Sequence, residues 1–136
     1  METHDTLDLT RRGHERLVVW QNAARLRKMV YDISSRFPRE EMRRVSQMQD
    51  AARSVKQNIQ EGYARYSIGE YIHALNIAKG SVGELIGDVN DCFEDRLITF
   101  QQYKILEELC GKTEYLLKRL MQSLRQKQLE KTWVKY

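Results

Sequence analysis

The metal-binding potential of this sequence rests on one pair of residues, Glu70 and His73, which stand three positions apart. A Glu-x-x-His pair on a helix is one half of the di-iron site of ferritin-like bundles, which needs two such pairs and two further glutamates. The sequence contains no second Glu-x-x-His. Glu70 also suits another role, because Ser67 lies three positions before it, in the spacing of a helix capping box. We therefore expect no metal and no other cofactor, and a metal-dependent oxidase remains an alternative hypothesis.

Other catalytic signatures are missing from the sequence as well. Cys92 and Cys110 fall in helical segments and have neither metal-ligand nor redox spacing. His4 and His14 belong to an N-terminal arm, and no serine or cysteine has a plausible His/Asp partnership. No glycine-rich phosphate loop follows a strand. We predict that the protein is not an enzyme, and we interpret the cysteines as reduced thiols.

The basic residues suggest a different chemistry, the binding of nucleic-acid phosphates. The chain of 136 residues has 23 Lys and Arg against 19 Asp and Glu, a net charge of +4. Residues 1–66 carry 13 basic and 9 acidic side chains, residues 67–98 carry 2 and 6, and residues 99–136 carry 8 and 4. This balance permits attraction to RNA or DNA, head-to-tail contacts between subunits, or simply a solvated polar face. The candidate nucleic-acid-binding residues are Arg36, Arg39, Arg43, Arg44, Lys118, Arg119, Arg125 and Lys127.

Apolar residues recur with helical spacing in four segments, at about 16–37, 38–64, 68–94 and from Thr99 to about 124. Short connections make consecutive helices antiparallel neighbours. The predicted fold is all-α, an antiparallel up-down-up-down four-helix bundle over residues 16–125, with a flexible arm at 1–15 and a basic tail at 126–136. The tail contains Trp133 and Tyr136, which could stack on bases or contact a neighbouring subunit. The sequence has neither an apolar run of 18 residues nor an N-terminal signal core. We therefore expect no membrane span and a cytoplasmic location.

The second predicted helix has the weakest apolar face, because Gln49 interrupts it. Buried polar groups need hydrogen-bond partners, so Gln49 and Asn58 are expected to bond across the bundle or to lie at its edge. The apolar positions predicted for this face are Met42, Val45, Ala52, Val55 and Ile59.

The connection between the second and third helices is the most distinctive stretch of the sequence. Asn58, Glu61 and Arg65 share one helical stripe, and Glu61 precedes Arg65 in the favourable i,i+4 order. Gly62 marks either a close approach of two backbones or the exit of the helix. Ser67 and Glu70 should satisfy two free backbone N–H groups of the third helix. We interpret this stretch as the residues that fix a helical hairpin, and a ligand site is the alternative.

Small residues line one side of the third predicted helix. An interior glycine costs about 0.8–1 kcal/mol of helix stability relative to alanine, so a close backbone neighbour would explain Gly80, Gly83 and Gly87. That neighbour is either another helix of the same chain or a second subunit, and Glu84 joins the glycines as a candidate assembly residue. Acidic side chains crowd the end of this helix, where the helix dipole disfavours them, which favours a basic partner surface.

Several short motifs occur in a fixed order between about Leu17 and Leu124. They are Leu17-Val18-Val19-Trp20-Gln21, Phe37-Pro38, Gln49, Asn58-Ile59-Gln60-Glu61-Gly62 with Arg65, and Leu75 followed by Ala78 through Leu85. In this order and spacing, which are more specific than any one motif, the sequence resembles a known family, the four-helix-bundle proteins encoded in the intervening sequences of bacterial 23S ribosomal RNA. The segment Met42 to Gln57 departs from the family by being more polar and richer in arginine.

The resemblance implies an intracellular bacterial protein that forms a ring-like homo-oligomer, a homopentamer. The family is similar to the accessory proteins of diversity-generating retroelements, basic pentameric barrels that bind nucleic acid and a reverse transcriptase. We therefore expect a homo-oligomeric bundle that binds RNA or DNA through its basic surface. The alternative is a protein–protein scaffold or an accessory subunit of a nucleic-acid enzyme such as a reverse transcriptase.

Overall fold

A computed structural model describes residues 13–131 of the chain and contains four α-helices in that range. No strand occurs in this part of the chain, so the predicted all-α four-helix fold is confirmed. Single 3-10 turns at Gly13–Arg16 and Arg39–Glu41 precede the first two helices. The helices are α1 (Val18–Ser34), α2 (Met42–Tyr63), α3 (Ile68–Glu94) and α4 (Phe100–Glu130).

Each helix packs against two neighbours. α1 and α3 both contact α2 and α4, so the four helices form a closed square in chain order. The short connections make neighbouring helices antiparallel. We call the end of the bundle that holds two interhelical turns, the α1–α2 and α3–α4 connections, the two-turn end. The opposite end holds one interhelical turn, the α2–α3 connection, together with the beginning of α1 and the end of α4, and we call it the single-turn end.

The core follows the predicted apolar faces of α1, α3 and α4. Leu26, Leu75, Leu85 and Leu117 have no exposed surface. The burial of these side chains is the main source of stability in a bundle of this kind. In α3 the apolar residues that recur at spacings of four and three are all buried, namely Tyr71, Leu75, Ala78, Val82, Leu85, Val89 and Cys92.

The predicted face of α2 was wrong at its first position. Met42 is 61% exposed, whereas Met48, which was not predicted, is 1% exposed. Met42 is the first residue of α2 and lies at the rim of the two-turn end, about 140° around the helix from Val55 at 100° per residue. Gln49 satisfies its amide as expected, because its Nε2 donates to Ser34 Oγ on α1 at 3.0 Å.

The two helix ends on either side of Pro38 differ from the sequence-based prediction. α1 ends at Ser34 rather than at Phe37, since a residue that precedes proline is disfavoured in helical conformation. α2 begins at Met42, because Pro38 is extended and the next three residues form the 3-10 turn. α4 begins after Thr99, as predicted, with a complete capping box between Thr99 and Gln102.

The third helix has a weaker N-terminal cap than predicted. Ser67 Oγ accepts from the Glu70 N–H at 3.3 Å, but the complete reciprocal box forms only in α4 among the described helices. α3 ends in a Schellman motif, in which Leu97 N–H donates to the Cys92 carbonyl and Arg96 N–H to the Phe93 carbonyl. Arg96 takes the left-handed conformation, with φ of 62°, at the position where glycine is usual.

The predicted terminal segments lie largely outside the described residues. The arm at 1–15 is described only from Gly13, and the tail at 126–136 only to Lys131, so Trp133 and Tyr136 are not covered. Within 126–131, α4 continues to Glu130 with every side chain exposed. No helix of residues 13–131 has both the length and the apolar composition that crossing a bilayer requires.

Candidate functional site

The α2–α3 connection is built around Gly62, in the last turn of α2. A Cβ atom on Gly62 would lie 2.9 Å from Ala74 Cβ, closer than such atoms approach one another, and 3.0 Å from Tyr71 Cδ1. Gly62 therefore marks a close approach of α2 and α3, which is one of the two roles considered for it. The Tyr63 and Tyr71 rings meet edge to face beside it, with centroids 6.2 Å apart.

Asn58 joins the same interface through a chain of hydrogen bonds. Its Nδ2 donates to the Ser54 carbonyl at 2.9 Å and to Ser54 Oγ at 3.1 Å. Ser54 Oγ in turn lies 2.8 Å from Ser81 Oγ on α3. Of these bonds, the one between Ser54 and Ser81 joins α2 to α3, and the two from Asn58 stay within α2.

Polar residues of the hairpin also line an open depression of about 280 Å³ between α2 and α3. Asn58, Glu61, Arg65, Glu70 and His73 contribute to its wall. Glu70 and His73 are both exposed. In the described part of the chain, no group of three or more His, Cys, Asp or Glu is arranged to hold a metal ion.

The glycines of α3 point to the outside of the bundle. A Cβ atom added to Gly80, Gly83 or Gly87 would meet nothing within 4 Å, and Glu84 between them is exposed. No helix of the described chain approaches this face, so an intramolecular crossing does not explain these glycines. A contact with a second subunit is the explanation that remains open.

The candidate arginines of the two-turn end share that end with acidic residues. Arg44 Nε donates to Glu41 Oε1 and its Nη2 to Asp95 Oδ2, both at 2.8 Å. Arg44 therefore links α2 to the end of α3 and is already paired. Arg36, Arg39 and Arg43 are exposed.

Acidic side chains dominate the neighbouring end of α3. Asp88 Oδ2 is buried and has no hydrogen-bond partner among the described residues. Burial raises the pKa of the Asp88 carboxyl, and the nearby charges of Glu84 and Asp91 raise it further. This end of the bundle thus offers phosphates a mixed surface rather than a basic one.

The candidate residues on α4 have a different environment. Lys118, Arg119, Arg125 and Lys127 are all exposed along its second half. Residues 112–131 carry six basic and two acidic side chains, whereas residues 84–95 of α3 carry five acidic and no basic ones. The structure therefore does not bring the eight candidates together: four lie at each end of the bundle. Because the α1–α2 connection and the beginning of α4 belong to the same end of the bundle, the two groups are on the order of 30 Å apart at 1.5 Å per residue.

Several side chains with functional potential were not predicted from the sequence. Tyr115 is 55% exposed amid the basic residues of α4, and Arg119 Nη1 donates to its hydroxyl at 2.9 Å. The i,i+4 spacing of Tyr115 and Arg119 was the signal that could have revealed this pair. At the two-turn end, Phe93 stacks on Tyr103 with centroids 4.6 Å apart, and Phe100 beside them is 63% exposed.

Neither cysteine has the environment of a reactive thiol. Both are buried, and Cys92 Sγ contacts Met48 Sδ at 3.5 Å. Burial raises the pKa of the Cys92 thiol to about 11 and that of Cys110 to about 12. Thiolate is the nucleophilic form, so these side chains act as core residues.

Comparison with known proteins agrees with this architecture. The sequence matches the family of 23S rRNA-intervening sequence proteins over residues 15–119. The structure is similar to that of a protein with unknown function from the S23 ribosomal protein family of Bacteroides thetaiotaomicron. The TM-score is 0.72 at 20% identity, over 77% of this chain and 96% of that chain, a likeness that concerns the fold. No curated protein matches the sequence significantly. The chain belongs to the 23S rRNA-intervening sequence protein family.

Proposed function

We propose that this protein is a non-catalytic, self-assembling bundle of the bacterial cytoplasm that binds RNA or DNA through the basic half of α4. The observation that carries the proposal is the row of exposed cations Lys118, Arg125 and Lys127. None of the three forms an ion pair with another residue of the described range. Their charges are therefore available to phosphates, which supply most of the affinity in non-specific nucleic-acid binding.

The position of these cations favours one binding face over two. The opposite group of arginines includes the paired Arg44 and stands beside the acidic end of α3. A separation on the order of 30 Å exceeds the Debye length of about 8 Å at physiological salt, so the two groups act independently. Phosphates should therefore bind at the second half of α4 and avoid the end of α3.

Assembly would multiply this interaction. The open Gly80, Gly83 and Gly87 leave a shallow outer face on α3, against which the backbone of a second copy fits. The acidic end of α3 and the basic half of α4 also offer opposite charges to a neighbouring copy. A ring of five copies, which the family resemblance implies, would present five α4 surfaces to one nucleic acid and raise its apparent affinity by multivalency.

A matched pair of triple variants tests the binding face. Lys118→Gln, Arg125→Gln and Lys127→Gln together remove three charges from α4, and Arg36→Gln, Arg39→Gln and Arg43→Gln remove three from the two-turn end. Both variants reduce the net charge from +4 to +1. Gel shifts with ribosomal RNA fragments and duplex DNA at about 50 mM salt should show a large loss of binding in the first variant and little change in the second. Equal losses would contradict a localised face, and a wild type that binds neither probe would rule out the proposed function.

The second candidate is an accessory subunit of a nucleic-acid enzyme such as a reverse transcriptase, related to the accessory proteins of diversity-generating retroelements. The observation that favours it is the acidic end of α3, where Asp91 and Glu94 are exposed and suit a basic protein surface. A double variant, Asp91→Asn and Glu94→Gln, should then lose the enzyme and keep RNA binding in a pull-down. Unchanged capture of the enzyme would remove this candidate.

A further inference from the structure

The ring of Tyr115 is open to solvent in the middle of the basic half of α4. Its exposed fraction is 55%, and Arg119 holds its hydroxyl by a hydrogen bond of 2.9 Å. The Arg119 guanidinium carbon also lies over the ring at 5.8 Å from its centroid, which is the long end of the range for a cation–π contact, so it covers one face only loosely. Elsewhere in the protein the arrangement differs, because the guanidinium of Arg27 lies 4.3 Å over the ring of Tyr31.

The surroundings of Tyr115 leave room for a flat ligand. Gly111, one turn before Tyr115 on α4, carries no side chain, and a Cβ atom built there would meet nothing within 4 Å. Lys112 and Lys118, one turn before and one turn after, are both exposed. An aromatic face thus lies between two cations.

We infer that Tyr115 is a stacking site for an unpaired nucleobase, so that the nucleic acid contacted by α4 is single-stranded at this point. The inference rests on the proposed function and adds to it the class of nucleic acid. Bases in a duplex already stack on one another, whereas an unpaired base can stack on an exposed aromatic ring. Lys112 and Lys118 then contact the phosphates on either side of that base, and the bond from Arg119 fixes the ring.

Fluorescence anisotropy with three labelled probes tests the inference: a 20-nucleotide oligo(U), the corresponding oligo(dT), and a 20-base-pair DNA duplex. Tyr115→Leu removes the ring but leaves an apolar side chain that favours a helix, and Tyr115→Phe removes the hydroxyl alone. Phe100→Leu removes a similarly exposed ring from the opposite end of the same helix and serves as the control. Light scattering of each variant checks that assembly is unchanged.

We expect Tyr115→Leu to weaken binding of the single strands by about 5-fold or more, the range for loss of one base–aromatic stack, and binding of the duplex by less than about 2-fold. Tyr115→Phe should bind single strands within about 3-fold of the wild type, and Phe100→Leu should match the wild type. Oligo(U) and oligo(dT) distinguish RNA from DNA.

Equal effects of Tyr115→Leu on single strands and duplex, or no effect on either, would overturn the stacking site. The proposed function would still stand if the charge variants of α4 weakened binding in the same assay. A wild type that binds none of the three probes would overturn both. If Tyr115→Leu changed the oligomer, Tyr115→Gln compared with Tyr115→Phe would give the same test of the ring.

Discussion

Replacing the open glycines of α3 by alanine should distinguish the stability of a single folded chain from the stability that assembly adds. Gly80, Gly83 and Gly87 lie inside α3, and a Cβ atom at each would meet nothing within 4 Å. Each alanine should therefore add the full difference in helix propensity, about 0.8–1 kcal/mol, and the triple variant about 2.5–3 kcal/mol. For a domain of this size, that gain corresponds to a rise in Tm of about 10 °C.

Gly62 provides the matched control, because it is a helical glycine of the same chain with no free space. Alanine at this position would bring its Cβ to 2.9 Å from Ala74 Cβ and 3.3 Å from the Tyr71 carbonyl oxygen. Overpacking of this kind costs about 1–3 kcal/mol, which exceeds the gain in propensity. Gly62→Ala should therefore destabilise the protein while the α3 variants stabilise it.

Urea denaturation followed by circular dichroism, repeated over a range of protein concentrations, measures both effects. Extrapolation to low concentration gives the stability of the single chain, and the concentration dependence reports assembly. Gly83→Leu should lower the mass found by light scattering, because its side chain occupies the face proposed for a second copy. A triple alanine variant that is less stable at low concentration would refute the open-face argument, and an unchanged mass for Gly83→Leu would refute the use of this face.

Two further predictions concern buried polar groups. Asn22 Nδ2 donates to Thr113 Oγ1 at 3.0 Å and to the Leu109 carbonyl at 3.5 Å, between α1 and α4. Thr113→Val should cost about 1–3 kcal/mol in urea denaturation, because it leaves the buried amide with only the long second bond, and adding Asn22→Leu should recover most of the loss. A double variant no more stable than the single one would contradict this. Burial raises the folded-state pKa of Asp88 above 3.8, so its contribution to stability is present at low pH and lost as pH rises through that pKa. Asp88→Asn should therefore stabilise the protein at pH 7 by more than at pH 4, and an equal gain at both would count against the unpaired carboxylate.

Residue periodicity was enough to place most of the fold. The unbroken spacing of Tyr71, Leu75, Ala78 and Val82 fixes one buried stripe on α3, and the capping sequence from Thr99 fixes the start of α4. The face of α2 was harder to place, because Gln49 and the arginines dilute its apolar pattern. Met42 matched the spacing, but it belongs to the rim of the bundle, where a side chain can leave the core.

The surface could not be predicted in the same way. Periodicity shows which side of a helix is buried, but it does not show what an exposed side meets. Gly83 therefore fitted two explanations until the structure showed open space around it. Arg44 carried the same charge in the sequence as Arg43, and only the structure shows its pairing with Glu41 and Asp95. The exposed ring of Tyr115 lacked a motif of its own.

The salt dependence of RNA binding tests the central claim, that the second half of α4 is the phosphate-binding face. The logarithm of the association constant should fall linearly with the logarithm of salt concentration for the wild type. The variant lacking the charges of Lys118, Arg125 and Lys127 should show a slope smaller by about 2 to 3, since each lost phosphate contact removes about 0.7–0.9. The variant lacking Arg36, Arg39 and Arg43 should keep the wild-type slope. If the slope were reduced in the variant lacking Arg36, Arg39 and Arg43 and unchanged in the α4 variant, the phosphates would bind at the two-turn end, contrary to this account.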